Sequence, residues 1–373
     1  MTRTFGTHFV AAAACAVAAL AAAPSASAQN LIYSTFVSSE HLLVKDVAAP
    51  FAAELRERTG GEVDFEVVPG GSLAGARETL KAVEDGTVDA GYIIDIYTPS
   101  ALPQTALLSD LSLLIDNSVV ASAAMTETVL LDCQECRESF EKHNVVPLGF
   151  VSTSVYALQC TRPVAKLADM QGLKVRATGA WASLMTDLGA TPVNIPTSEL
   201  FEGLQRGAID CSVGPVSHLP SYSLYEVVTD INEMPIGAYA GGLPLDMRKS
   251  VWDDLTAEQR AVVLDLAPKY VAAGALGYNR VNQEAIDQSK TQGIGWHPEA
   301  ADIVAAYDAY KTKVMAETIA KGEADPSIAD AKALVETFAE NLEKWTKIIA
   351  EIGDTDAAAL ETALREEVYA KLP

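Results

Sequence analysis

Short extended runs and helical stretches alternate along this chain, and glycines mark the joins. A first strand near Leu31–Thr35 precedes a stretch rich in Ala, Val and Leu from about Leu42 to Arg58, which ends at Thr59-Gly60-Gly61. Glycine at that place suits a left-handed helix cap. Val63–Val68 alternates as a strand, Pro69-Gly70-Gly71-Ser72 makes a turn, Ala76–Asp85 reads as a helix stopped by Gly86, and Val88–Ile94 as a buried strand. Strand, helix, strand in that order implies parallel strands joined by right-handed crossovers. A second set runs from Val145 to Val213, with strands near Val146–Val151, Val155–Cys160, Leu173–Ala177, Thr191–Ile195 and Ile209–Val213. Its helices are Trp181–Leu188 and Ser198–Arg206, closed by Gly189 and Gly207. From Thr256 the texture is helical, with few breakers to about Gln292 and Pro268 as the expected kink, then candidates at 300–321, 326–351 and 356–371. The fold class expected is α/β, two lobes followed by a helical tail.

The 373 residues exceed what one hydrophobic core usually supports, in agreement with two lobes. Lys and Arg number 27 against 50 Asp and Glu, a net charge of −23, which argues against nucleic acid or an anionic membrane as the main partner. A small anion stays open, because the field of exposed charges fades beyond about 8–10 Å in salt. Residues 1–28 read as an export signal: Arg3, an unbroken apolar run from Phe9 to Ala23, and the small-x-small site Ala26-Ser27-Ala28. The run is too short for a bilayer span, which needs roughly 20 residues. Cleavage after Ala28 would leave an exported chain starting at Gln29.

Export changes how the cysteines read. Cys15 falls inside the signal, which leaves Cys133, Cys136, Cys160 and Cys211, an even set in an oxidising compartment with three possible pairings. The competing reading makes Cys133, Cys136 and His143 metal ligands, but a second Cys-x-x-Cys or a paired His is missing. No metal or cofactor is expected. Enzyme signatures are sparse: Gly70-Gly71-Ser72-Leu73-Ala74 lacks the last glycine of a nucleophile elbow, and His41, His143, His218 and His297 form no His-Glu-x-x-His pattern. The glycines at 70, 71 and 75 suit either an anion site or a plain turn. Arg176 stands out. It lies on an apolar strand, where a guanidinium is costly to desolvate without a partner. That partner is either a structural carboxylate (Asp95, Asp187 or Glu199) or the carboxylate of a ligand.

Several segments jointly resemble the solute-binding subunit of tripartite ATP-independent periplasmic (TRAP) transporters, the C4-dicarboxylate-binding type. They are Phe51 to Gly61 with Val68-Pro69-Gly70-Gly71-Ser72-Leu73, Leu80 to Gly91, and Asp169-Met170-Gln171-Gly172-Leu173-Lys174-Val175-Arg176 continuing through Leu188 to Val193 and Ser198 to Asp210. Their order and spacing cover about residues 31–265. The resemblance implies two lobes joined by hinge strands, a long helix spanning both, and a ligand enclosed between them. The first lobe would hold 29–152 with about 239–281, the second 153–238 with about 282–373 and the tail.

By the same resemblance Arg176 clamps a ligand carboxylate in a planar two-point salt bridge, for which its fork is suited. Some relatives carry a second arginine twenty residues earlier; here that position is Tyr156. A tyrosine there points away from dicarboxylates and sialic-acid-like ligands, toward a monocarboxylate with an apolar or hydroxylated body. Ser34, Ile94, Asp95 and Tyr97 fall at first-lobe contact positions, and Thr197, Ser212 and Gly214 at second-lobe ones. Trp181 is placed either to stack on the ligand or to pack as core, and Asp95 either to select a hydroxyl, amine or ammonium or to cap a turn. The framework favours Cys160–Cys211, both on second-lobe strands that run past the pocket, and Cys133–Cys136 by locality. The implied function is a monomeric, non-enzymatic protein that captures an organic acid by hinge closure and hands it to integral membrane transporter subunits. The alternatives are a secreted enzyme with Asp95 or Glu199 as base, and a sensor for a membrane receptor.

Overall fold

The computed structural model describes residues 29–372 apart from Glu299, with Met1, Thr2, Thr4 and Gly6; the expected export signal, its cut after Ala28 and Cys15 lie outside the described residues. Twelve strands appear among the described residues: β1 (Gln29–Ser34), β2 (Val63–Val68), β3 (Ala90–Gly91), β4 (Ile93–Ile94), β5 (Val145–Val151), β6 (Tyr156–Cys160), β7 (Lys174–Arg176), β8 (Thr191–Val193), β9 (Cys211–Pro215), β10 (Asp230–Asn232), β11 (Gly242–Arg248) and β12 (Gly295–His297). The first lobe carries a parallel sheet in the order β2-β1-β3 and an antiparallel one in the order β4-β11-β5. The second carries a six-stranded sheet in the order β12-β10-β6-β9-β7-β8.

The expected parallel unit is present, with Leu31 opposite Phe65 and Tyr33 opposite Val67. Its first crossover is helical from Leu43 to Arg58 and stops where Gly60 and Gly61 take positive φ (63° and 85°). The glycines after β2 serve a turn: Gly70 and Gly71 have φ of 81° and 70°, and the next helix starts only at Thr79. The strand expected over Val88–Ile94 breaks at Tyr92 into β3 and β4, which belong to different sheets. The chain therefore passes from one first-lobe sheet to the other at the edge of the cleft.

Two antiparallel segments link the lobes. Tyr156 N–H donates to the Gly237 carbonyl (2.7 Å), Ile236 N–H to the Tyr156 carbonyl (3.2 Å) and Thr153 N–H to the Tyr239 carbonyl (2.9 Å). Gly237 has φ of +79°, and a Cβ there would collide with the Ser112 carbonyl. The helix expected from Thr256 is a single element, Ala257–Thr291, capped by Thr256 and Gln259 and continuous through Pro268. It lies on β5, where Gly274 lets Val151 approach, and reaches the second lobe through Asn282, which accepts from Ser217 N–H (3.1 Å).

The tail departs from expectation. Helix Ala331–Ile352 packs on helix Ser118–Glu127 of the first lobe, with Trp345 Nε1 donating to Glu127 (2.6 Å). Helix Ala357–Glu367 packs on the long helix, and Tyr369 donates to the Leu148 carbonyl of β5 (2.6 Å). The grouping of these last helices with the second lobe is thus corrected: their apolar stripes (Val335, Phe338, Trp345, Leu360, Leu364) are buried on the first. Helix Ala301–Glu323 touches both, through Tyr307 to the Leu113 carbonyl and Lys313 to Asp187. Both favoured disulfides are present. Cys160–Cys211 joins β6 to β9 at paired positions, and Cys133–Cys136 closes the start of a helix. The bridge removes Cys133 and Cys136 as metal ligands, and His143 faces Glu84 instead (3.1 Å).

Candidate functional site

Strand β7 places Arg176 beside Ser212 of β9 and Val193 of β8, with its side chain directed into the cleft between the lobes and 3% exposed. Nε donates to the Ile195 carbonyl (2.9 Å) and Nη1 to the Val213 carbonyl (3.4 Å), which fixes the plane of the fork. Nη2 donates across the cleft to the Tyr97 hydroxyl (2.9 Å). Among the described residues the guanidinium forms no ion pair; all its partners are neutral oxygens. The alternative of a structural carboxylate is not realised: Asp187 pairs with Lys313, and Asp95 accepts from Tyr239 and Ser109 (2.8 Å each). Burying a lone ion carries an effective penalty of several kcal/mol, so the position suits a cation held ready for an anion.

Around it the cleft is lined mostly by rings. Phe36 stacks on Tyr92 (5.4 Å between centroids) and meets Tyr97 edge-on (6.3 Å). His218 lies edge-on to Tyr222 (5.0 Å), and His41 stands 6.0 Å from both Tyr222 and Tyr278. Tyr156, Tyr239, Ile94, Ile96 and the hydroxyls of Thr153, Thr178 and Thr197 complete the wall. The cavity itself is small, about 30 Å³.

The electrostatics are those of one isolated charge. Burial pushes the phenols of Tyr92, Tyr156, Tyr222, Tyr239 and Tyr278 up, so they stay protonated and can donate. Burial pulls His41 down to about 4. It also pulls His218 far down, helped by the Arg176 cation. Both imidazoles are therefore neutral at pH 7. Among the described residues no Asp, Glu or Lys lines the cavity, so Arg176 is the one formal charge on its wall there. Among the described residues two buried polar atoms of the wall have no hydrogen-bond partner, Thr197 Oγ1 and His218 Nδ1. An anion with a flat apolar body fits this wall chemically: the fork and free hydroxyls for its head, ring faces for its body.

Of the positions expected at the site, Arg176, Tyr156, Tyr97, Ile94 and Thr197 line the cavity. Trp181 does not; it stacks on the far side of Tyr156 (4.5 Å) and donates to the Ile236 carbonyl (2.6 Å). Asp95 is also one layer back, 1% exposed, and anchors Tyr239 from behind. Ser34 and Ser212 are fully buried with unpartnered hydroxyls outside the wall, and Gly214 leaves room for the His218 ring. Phe36, His41, Tyr92, His218, Tyr222, Tyr239 and Tyr278 were not foreseen. They come from separate segments between residues 36 and 278 and share no local pattern.

The family description of bacterial extracellular solute-binding proteins, family 7, matches residues 33–321. A solute-binding protein of Albidiferax ferrireducens is 25% identical over 57% of this chain and 63% of its own length, less than two thirds of that relative. The C4-dicarboxylate-binding periplasmic protein DctP of Shewanella loihica is 26% identical over 75% of this chain and 85% of its own. Among solved structures, a TRAP solute-binding protein from Rhodoferax ferrireducens with copurified benzoate superposes with a TM-score of 0.77 at 18% identity, covering 86% of this chain and 99% of that one.

Proposed function

The chain belongs to family 7 of the bacterial extracellular solute-binding proteins, the solute-binding subunits of TRAP transporters, and from that premise we propose that it captures an aromatic monocarboxylate in the periplasm and delivers it unchanged to the membrane subunits of a transporter. The observation that carries this reading is the single unpaired cation at Arg176 in a wall otherwise made of neutral rings and hydroxyls. One carboxylate satisfies that cation. A second carboxylate would be buried without a partner at a cost of several kcal/mol. Tyr156, where a second arginine stands in some relatives, fits the same preference. The benzoate found in the Rhodoferax protein is a ligand of this class.

Residues 29–152 with about 239–281 and the last two tail helices form one jaw, and residues 153–238 with about 282–297 form the other. Export with removal of residues 1–28 places the chain in the periplasm, where it acts as a monomer. The ligand bridges the jaws and so stabilises the closed arrangement. A thermal-shift screen tests this, because a ligand bound only by the folded protein raises its melting temperature by mass action. Benzoate, hydroxybenzoates and mandelate are expected to raise it more than succinate, malate or galacturonate at equal concentration. A clear preference for the dicarboxylates would refute the reading, and chemical alteration of the recovered ligand would replace it with an enzyme.

A further inference from the structure

The cleft wall carries a second directed donor besides Arg176, and a helix start fixes its direction. His41 stands just before the helix that begins at Leu43, and its Nδ1 accepts the backbone N–H of Leu43 (3.2 Å). That amide is one of the orphan donors of a helix start, so the bond caps the helix. A backbone N–H can only donate, so Nδ1 is the unprotonated nitrogen, and a neutral imidazole then carries its proton on Nε2. Burial keeps the ring neutral at pH 7. The ring is 2% exposed and lines the cavity, and Nε2, at its tip, has no hydrogen-bond partner among the described residues. An acceptor for Nε2–H therefore has to come from the contents of the cleft. From His218 the wall continues through Tyr222 to His41, with centroids 5.0 Å and then 6.0 Å apart. The Arg176 cation helps lower His218, whereas burial alone lowers His41, which puts His41 the farther of the two from the fork.

We propose that His41 Nε2–H donates to a hydroxyl on the ring of the guest acid, at its 3- or 4-position, so that the site takes hydroxylated aromatic acids in preference to plain ones. The inference rests on the aromatic monocarboxylate reading and adds the residue that selects within that class. With the carboxylate on Arg176, the 3- and 4-positions of a benzoic acid point away from the fork, and the 2-position stays beside it. A hydroxyl oxygen there accepts from Nε2–H, and its own proton has the phenol oxygens of the same wall as acceptors. A bare ring leaves a buried N–H without an acceptor, which disfavours that guest alone. A second carboxylate would accept as well, but it brings an uncompensated charge to a neutral wall.

The test titrates the full mature chain by calorimetry with benzoate and its 2-, 3- and 4-hydroxy derivatives, as wild type, His41→Phe and His41→Asn. Wild type should bind 3- or 4-hydroxybenzoate at least about tenfold more tightly than benzoate, with no such gain for 2-hydroxybenzoate. Asparagine keeps an acceptor for Leu43 N–H but is too short to present a donor where Nε2 stands. Both variants should therefore bring the ratio of affinities to within about twofold of unity. A role confined to capping would lower the melting temperature of His41→Phe, spare His41→Asn and leave the ratio as in wild type, and would overturn the inference. So would a wild type that binds benzoate as tightly as both remote hydroxy acids. Nitrogen NMR of histidine-labelled wild type should show His41 protonated on Nε2, with that signal moved by the preferred hydroxy acid and not by benzoate. An Nδ1-protonated His41 would contradict the proposal. A wild type that binds none of these acids would refute the aromatic monocarboxylate reading and the inference with it, a result distinct from benzoate bound without a hydroxyl preference.

Discussion

Asp95 is the buried acid that supports the ring wall of the cleft from behind, and replacing it with asparagine should change how stability depends on pH. Its carboxylate oxygens accept from Tyr239 and Ser109 (2.8 Å each) at 1% exposure. Burial raises its pKa from 3.8 to about 7, the two hydroxyls offsetting part of the shift and Asp110 adding slightly to it. Between those values the folded protein holds a proton that the unfolded chain has lost. Stability associated with Asp95 is therefore fully present below the lower value and is lost as pH rises toward the upper one. A shift of about three units, at about 1.4 kcal/mol per unit, sets the scale at about 4 kcal/mol. Asparagine keeps a carbonyl for one hydroxyl and never ionises. The difference between Asp95→Asn and wild type should be small near pH 4 and grow to about 2–4 kcal/mol in favour of the variant by pH 8. The raised acid Asp246 and the lowered histidines His41 and His218 titrate in both proteins and cancel in that difference, and Asp110 cancels except for its slight coupling to Asp95. Urea unfolding at pH 4, 6 and 8 measures it. A difference that stays constant with pH would refute the account of Asp95 as an acid kept neutral by burial.

The two disulfides should differ in worth because they close loops of different size, 51 and 3 residues of separation. Chain-entropy scaling gives about 4 kcal/mol for Cys160–Cys211 and about 1.6 kcal/mol for Cys133–Cys136. Urea unfolding of the two double alanine variants should reproduce that order, and equal losses would contradict it. Trp181→Ala removes a buried ring stacked on Tyr156 and should lower stability by about 3–5 kcal/mol. The milder Trp181→Phe should keep ligand affinity within a few-fold by calorimetry, whereas a large affinity loss without destabilisation would return Trp181 to the ligand.

Legibility in the sequence followed the range of the interactions involved. The parallel unit β2-β1-β3 and the strand bearing Arg176 were readable because apolar alternation and closing glycines are local signals. The long helix was readable for the same reason, having a capping box at Thr256 and few breakers. Strands β10, β11 and β12 and the helices between residues 103 and 142 were not assigned, and β11 shows why. Its stretch Gly242–Arg248 includes Pro244 and is buried on both faces, so it carries no alternation. Arg176 could be singled out as a charge on an apolar strand. The ring wall could not, since Tyr92, Tyr222, Tyr239 and Tyr278 meet only once both lobes and the long helix are in place. Trp181 stayed open between ligand and core, because spacing from Arg176 gives proximity but not which side of Tyr156 a ring occupies; it packs as core.

The direct measurement is the affinity of wild type and Arg176→Ala for the acid that most raises the melting temperature, titrated by calorimetry at pH 7. Loss of the fork leaves the carboxylate without its cation and should cost about 2–5 kcal/mol, roughly 30-fold to several-thousand-fold in Kd. A folded Arg176→Ala protein that binds the acid as tightly as wild type would contradict the account at its centre.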